Sequence, residues 1–257
     1  MTSSTPHQPA RPTARQRQQA ADERRDRART AREAAERAAR RRRRTVVGLC
    51  AIAGLLVIAL VVAAIVSTRQ DDGPVAAPAG TTEQGGVLVG DPAAEHTVVV
   101  YYDYQCPFCA QFEAQTGPWL AEEREAGALA VEYRPISFLD EASQGYSTRA
   151  AAAAACVAGD SGADFAAFTD DLFAQQPEEG GSGLPEEVVL QAARDAGAGE
   201  EATACITDGT YAAWAEQTTQ RAIDSGVTST PTVLVDGQAL QTQGLPAQAD
   251  IEAALAS

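Results

Sequence analysis

Lysine is missing from this 257-residue chain, so all 20 of its cationic side chains are arginines. Histidine is scarce, represented by His7 and His96 alone, and there is one Cys-X-X-Cys pair with no second. A structural zinc site needs four ligands, so these shortages argue against a metal centre. Covalent haem attachment needs a histidine directly after the second cysteine, and that position is Ala110. Charge is unevenly spread. Residues 1–44 carry 14 arginines against five acids, a net +9, and residues 45–257 carry 6 arginines against 30 acids, a net −24. That asymmetry excludes one uniform folded unit.

What is present begins with Gln18–Arg44, a charged, helix-compatible stretch without Gly or Pro that ends in the run Arg40–Arg44. Such a run beside an apolar segment suits anionic lipid head groups better than nucleic acid. Thr45–Ser67 follows as TVVGLCAIAGLLVIALVVAAIVS, with no charge between Arg44 and Arg69. A helix needs about 20 apolar residues to cross the hydrocarbon core. The stretch is longer than the apolar core of a signal peptide and no A-x-A site follows it, so it reads as an uncleaved single-pass anchor. The preceding arginines set the N-terminus in the cytoplasm and the remainder outside. Cys50 is read as a small apolar residue of that anchor. Thr68–Gly85, rich in Gly, Pro, Thr and Ala, reads as a flexible tether with a span of about 25 Å.

From Gly86 to Ser257 the pattern is that of an α/β domain. Thr97–Tyr102 and Leu129–Arg134 read as strands around a helix over Pro107–Arg124, bent at Gly117-Pro118. Residues 147–225 are mostly helical in pattern, with helices expected over Thr148–Val157, Asp164–Gln175, Pro185–Ala196 and Tyr211–Ser225. The acidic, Gly-rich Pro177–Gly183 reads as a surface loop between them. The sheet resumes at Thr232–Val235, turns at Asp236-Gly237 and returns through Gln238–Gln241, before a closing helix over Pro246–Leu255.

The chemistry-bearing stretch is Val98–Gln111, VVVYYDYQCPFCAQ, where a strand pattern passes through Cys106-Pro107-Phe108-Cys109 into a helical one. A cysteine at a helix N-terminus lies in the positive field of unpaired N–H groups, which favours its thiolate. Cys106 is the expected exposed nucleophile and Cys109 the shielded partner. An inert staple is a poor alternative, because so short a loop restrains little chain entropy.

These residues, Asp103 to Cys109, together with Gly226-Val227-Thr228-Ser229-Thr230-Pro231-Thr232, resemble the DsbA-like thiol-disulfide oxidoreductases of the thioredoxin superfamily, in an actinobacterial, membrane-anchored form. The resemblance implies a thioredoxin-like α/β fold with a helical insertion, here preceded by one transmembrane helix. It implies a cis peptide at Thr230-Pro231 and a substrate-binding surface formed by Pro107, Phe108, Thr230 and Pro231. Phe108 and Tyr104 are expected to be exposed there. Many relatives carry a buried acid six residues before the first cysteine; here that position is Val100, which leaves Asp103 as a less buried proton relay. Pro107-Phe108 contains no His, so a lowered Cys106 pKa is expected to rest mainly on helix-end amides.

Outside the anchor the cysteines number four, Cys106, Cys109, Cys156 and Cys205. An even count in an oxidising compartment suggests a structural Cys156–Cys205 pair beside the active one. The resemblance therefore implies a cofactor-free, monomeric oxidoreductase that introduces disulfides into reduced or unfolded secreted proteins. It would be reoxidised by a vitamin-K-epoxide-reductase-like or DsbB-like membrane protein, and a Lys-free, Arg- and Ala-rich chain suggests a high-GC genome, where the former is favoured. Two alternatives stay open. One is a disulfide reductase or isomerase, for instance in cytochrome c maturation, and the other a thioredoxin-fold binding module without turnover.

Overall fold

The computed structural model describes residues 75–256 except residue 243. The Arg-rich segment, the expected anchor with Cys50 and the first part of the tether lie outside the described residues. Among the described residues, no helix is long and apolar enough to cross a membrane.

A five-stranded mixed sheet in the order β1-β3-β2-β4-β5 forms the centre. Its middle strand, β2 (His96–Tyr102), pairs in parallel with β3 (Leu129–Pro135) and antiparallel with β4 (Thr232–Val235). In HTVVVYY, β-branched and aromatic side chains suit a strand covered on both faces, and alternate residues go to opposite sides. Val98, Val100 and Tyr102 join a core containing Phe112, Leu120, Phe168 and Ile251. Val99 and Tyr101 join a second core with Ile136, Ala222 and Val227. Helix α1 (Pro107–Glu125) links β2 to β3, and Pro118 lies inside it without ending it.

Between β3 and β4 stands the expected helical insertion, with α2 (Tyr146–Ala158), α3 (Phe165–Ala174), α4 (Glu186–Asp195), α5 (Glu200–Thr207) and α6 (Ala212–Asp224). α2 is its axis. The run Ala150–Ala155 combines the strongest helix propensity with side chains small enough for close approach, and all six alanines are buried. Trp214 of α6 packs on Ala151, Ala152 and Ala155. Asp164 caps α3, its side chain accepting from the Ala167 N–H at 3.1 Å. At the return to the sheet, Asp236 and Gly237 both have positive φ, as a tight turn into β5 (Gln238–Ala239) requires. The chain closes with α7 (Gln248–Leu255).

Two elements were not anticipated. β1 (Val87–Val89) is only three residues long, and α5 is a short, largely polar helix between Gly199 and Gly209. The tether also ends earlier than its composition suggests. Thr81 bridges to Val87, Thr82 donates to Glu132 Oε1 at 2.6 Å, and Val75 packs beside Tyr211 and Trp214. The ordered domain thus begins ahead of Gly86. That glycine is itself a close approach, since a Cβ there would sit 2.3 Å from Glu132 Oε1.

Cys156, at the end of α2, and Cys205, on α5, form a disulfide across a sequence separation of 49. Closing a loop of that length stabilises a chain by roughly 4 kcal/mol in the entropy model. Replacing both cysteines with Ala should lower the melting temperature by roughly 10 °C while leaving the Cys106 thiol reactive. A calorimetric scan with an alkylation assay checks both outcomes.

Candidate active site

β2 ends at Tyr102, and the turn Asp103-Tyr104-Gln105 delivers Cys106 to the N-cap of α1. The Cys106 N–H donates to the Asp103 carbonyl at 2.9 Å, and Pro107 occupies the first helical turn, where its missing N–H costs nothing. No side chain caps this helix, so its first N–H groups face the Cys106 sulfur. Cys109 follows one turn later, inside the core.

Both thiols are free, and they are unequal. The Cys106 pKa is lowered to about 6, first by a hydrogen bond from the Cys109 thiol, next by one from the Thr230 side chain and then by main-chain N–H groups of Cys109 and Phe108, against the opposing effect of burial. The Cys109 pKa is raised, mainly by burial and then by its bond to Cys106. The expectation that helix-end amides dominate is therefore corrected: the side chains of Cys109 and Thr230 come first, and the amides of Cys109 and Phe108 add smaller contributions.

Cys106 is also more covered than expected, at 5% exposure against 1% for Cys109. The reason lies across the site, where the Thr230 carbonyl oxygen is 3.4 Å from Cys106 Sγ. Thr230-Pro231 is a cis peptide, and both residues are half-buried. Pro107 is exposed and Phe108 is 60% exposed, a large apolar side chain directly beside the reactive sulfur. The structure thus brings Cys106, Cys109, Pro107, Phe108 and Thr230-Pro231 to one place.

Tyr104 departs from expectation. It is fully buried, its hydroxyl 3.1 Å from those of both Tyr102 and Thr169, and its ring packs on Tyr102 and Phe173. Asp103 is not less buried either, because it too has 0% exposure. Its Oδ1 accepts from the Gln105 N–H at 2.8 Å and from Ser147 Oγ at 2.7 Å, and Oδ2 accepts from the Leu139 N–H at 2.8 Å. Burial raises its pKa despite these bonds. Its carboxylate makes no hydrogen bond to Cys109; its main-chain N–H, together with the Thr230 side chain, favours the Cys109 thiolate. Asp103 accordingly fixes the turn to the insertion.

Sequence reasoning missed three residues. Gln176 Nε2 donates to the carbonyls of Tyr104 at 2.8 Å and Cys106 at 3.0 Å, and Gln105 Nε2 donates to the Glu178 carbonyl at 2.9 Å. The acidic loop after α3 is therefore latched to the active-site turn. Nothing in the sequence marks Gln176. Glu113 carries a detectable signal, since it lies four residues after Cys109 and so on the same inward helix face. Burial, then the charge of Asp170, pushes its carboxyl up to about 7.

This pairing of an unequal Cys-X-X-Cys at a strand–helix junction with an opposed proline loop defines a thioredoxin-type dithiol centre, and a family model described as thioredoxin matches residues 82–255. Within that family the chain belongs to the DsbA-like thiol-disulfide oxidoreductases. It is 35% identical to oxidised DsbA of Mycobacterium tuberculosis, with a TM-score of 0.53, covering 63% of this chain and 84% of that one. It is 32% identical to the reduced disulfide oxidoreductase DsbG of the same organism, with a TM-score of 0.53, covering 69% and 91%. A further 34% identity over 130 residues links it to the serine/threonine-protein kinase PknE of Mycobacterium tuberculosis; that stretch is 48% of this chain, and the chain spans only 23% of the kinase.

A thiolate below the ordinary cysteine range fixes the sign of a pH test. Alkylation of reduced Cys106 by iodoacetamide should rise with pH through a midpoint of about 6, whereas an ordinary thiol, near 9.0, would still be rising far above it. Because the Cys109 thiol is the leading cause, Cys109→Ala should move the midpoint upward.

Proposed function

We propose that this thiol-disulfide oxidoreductase is a protein-disulfide oxidase, anchored by residues 45–67 with its catalytic domain outside the cytoplasm. The asymmetry between Cys106 and Cys109 is the observation that supports this direction. A thiolate stabilised in the reduced form makes the oxidised form the more avid electron acceptor.

In the forward reaction a substrate thiolate attacks Cys106 Sγ of the Cys106–Cys109 disulfide. The substrate–Cys106 bond forms, the Cys106–Cys109 bond breaks, and Cys109 leaves and takes a proton, as its raised pKa favours. A second substrate thiolate then attacks the first substrate sulfur and expels Cys106 as a stable thiolate. Two electrons pass from the substrate to the Cys106/Cys109 pair, and the substrate leaves with one disulfide. Cys106 and Cys109 are the catalytic residues in this scheme. Pro107 and Phe108 offer apolar contact, and the Thr230-Pro231 backbone lies where an extended polypeptide can add to it.

The pair must then pass its electrons to a membrane oxidant, of vitamin-K-epoxide-reductase-like or DsbB-like type, and the substrates are reduced secreted or envelope proteins. Removing the resolving thiol tests the whole scheme. In intact cells, Cys109→Ala should accumulate mixed disulfides with secreted proteins, and Cys106→Ala should accumulate few. Adducts on Cys106→Ala alone would reverse the two roles, and adducts only with cytoplasmic proteins would overturn the topology.

A further inference from the structure

A groove of about 280 Å³ runs between α1 and α3, lined by Ala110, Glu113, Gly117, Ala121, Asp170 and Phe173 among others. Its walls are mostly small or apolar, and the two groups that break this pattern are carboxyls. Glu113 is only 7% exposed, yet among the described residues its carboxylate has no hydrogen bond and no ion pair. Asp170 stands exposed opposite it, likewise without a partner at ion-pair distance. Arg124 lies in the field of both carboxyls but forms an ion pair with neither, so one distant cation faces two acids and the arrangement is complementary to a second cation brought in from outside.

The groove starts at Ala110, next to Cys109, and the chain leaving α3 bonds through Gln176 to the Cys106 carbonyl. Glu113 lies seven residues from Cys106 on α1, about 10 Å along the helix axis. An extended polypeptide covers about 10 Å in three residues.

We propose that this groove seats the guanidinium of an arginine about three residues from the reacting cysteine of the substrate polypeptide, held between the Glu113 and Asp170 carboxylates. A guanidinium suits the site better than an ammonium. Its planar fork spans two acceptors, and its alkyl stem lies along Ala110, Ala114 and Phe173. That the cation belongs to a substrate rests on the oxidoreductase reading.

The charges facing Glu113 are Asp170 from α3 and Arg124 from its own helix; the tyrosines Tyr133 of β3 and Tyr104 of the active-site turn also lie in its field. Asp170 raises the Glu113 pKa and Arg124 lowers it; the Asp170 pKa is itself raised, first by burial and then by Asp164, against Arg124, which closes an ion pair with neither acid. Above pH 7 Glu113 is ionised and the groove carries its full negative charge; below pH 7 it takes up a proton and the attraction for a cation weakens.

The test uses the full chain and two peptides that differ only in having arginine or its neutral isostere citrulline three residues from a serine standing in for cysteine. Calorimetric titration at pH 8 should show the arginine peptide binding about tenfold more tightly, as a charge-assisted contact allows. The advantage should shrink at pH 5.5 and fall toward one in both Glu113→Gln and Asp170→Asn. Asp170 is on the surface, so its variant keeps the test valid even if Glu113→Gln disturbs packing. Equal affinities for the two peptides at pH 8, or an advantage that survives both substitutions, would overturn the proposal. Because the peptides carry no thiol, the two readings fail separately. Arginine preference without any exchange on cysteine-bearing versions would sink the oxidase reading alone, and exchange without preference would sink the groove alone.

Discussion

The hydrogen bond from the Cys109 thiol to Cys106 is the interaction on which the site depends. It can form only because α1 opens at the end of β2, placing one sulfur at the helix mouth and the other one turn inside. Burial alone would raise both pKa values. The donor next door turns the outer one down and leaves the inner one up, so that a single turn of helix holds a good leaving group and a proton acceptor together.

Much of the remaining structure serves to keep that turn in place. β2, paired on both edges and packed on both faces, fixes the point at which Asp103 begins the turn. Asp103 spends its carboxylate on Gln105, Ser147 and Leu139, while Gln176 holds the Tyr104 and Cys106 carbonyls from the other side. The helical insertion therefore does more than cover a face of the sheet, because its side chains and loop ends supply the bonds that orient the dithiol. The Cys156–Cys205 bridge secures α5 to the end of α2, the axis of that insertion.

Four of the five strands, the active-site helix, four of the five helices in the insertion and the two redox cysteines were legible in the sequence, because each is marked by local pattern: β-branched alternation, a proline at a helix start, two cysteines at fixed spacing. What escaped notice depends on contacts distant in sequence. Tyr104 was expected at the surface, but its hydroxyl finds Thr169, 65 residues away, and its ring is drawn into the core. Gln176 reaches Cys106 across 70 residues. Asp103 reads in the sequence as a less buried proton relay, whereas the Leu139 and Ser147 donors close over it and bury it. The short β1 and the polar α5 lack the length that makes periodicity readable.

The most direct test of the account is the reduction potential of the Cys106/Cys109 pair in the full chain, measured by equilibration with glutathione. Stabilisation of the reduced form by the Cys106 thiolate predicts a potential on the oxidising side, above about −180 mV. A value near the roughly −270 mV of a reducing thioredoxin would contradict it and turn the reading toward a reductase.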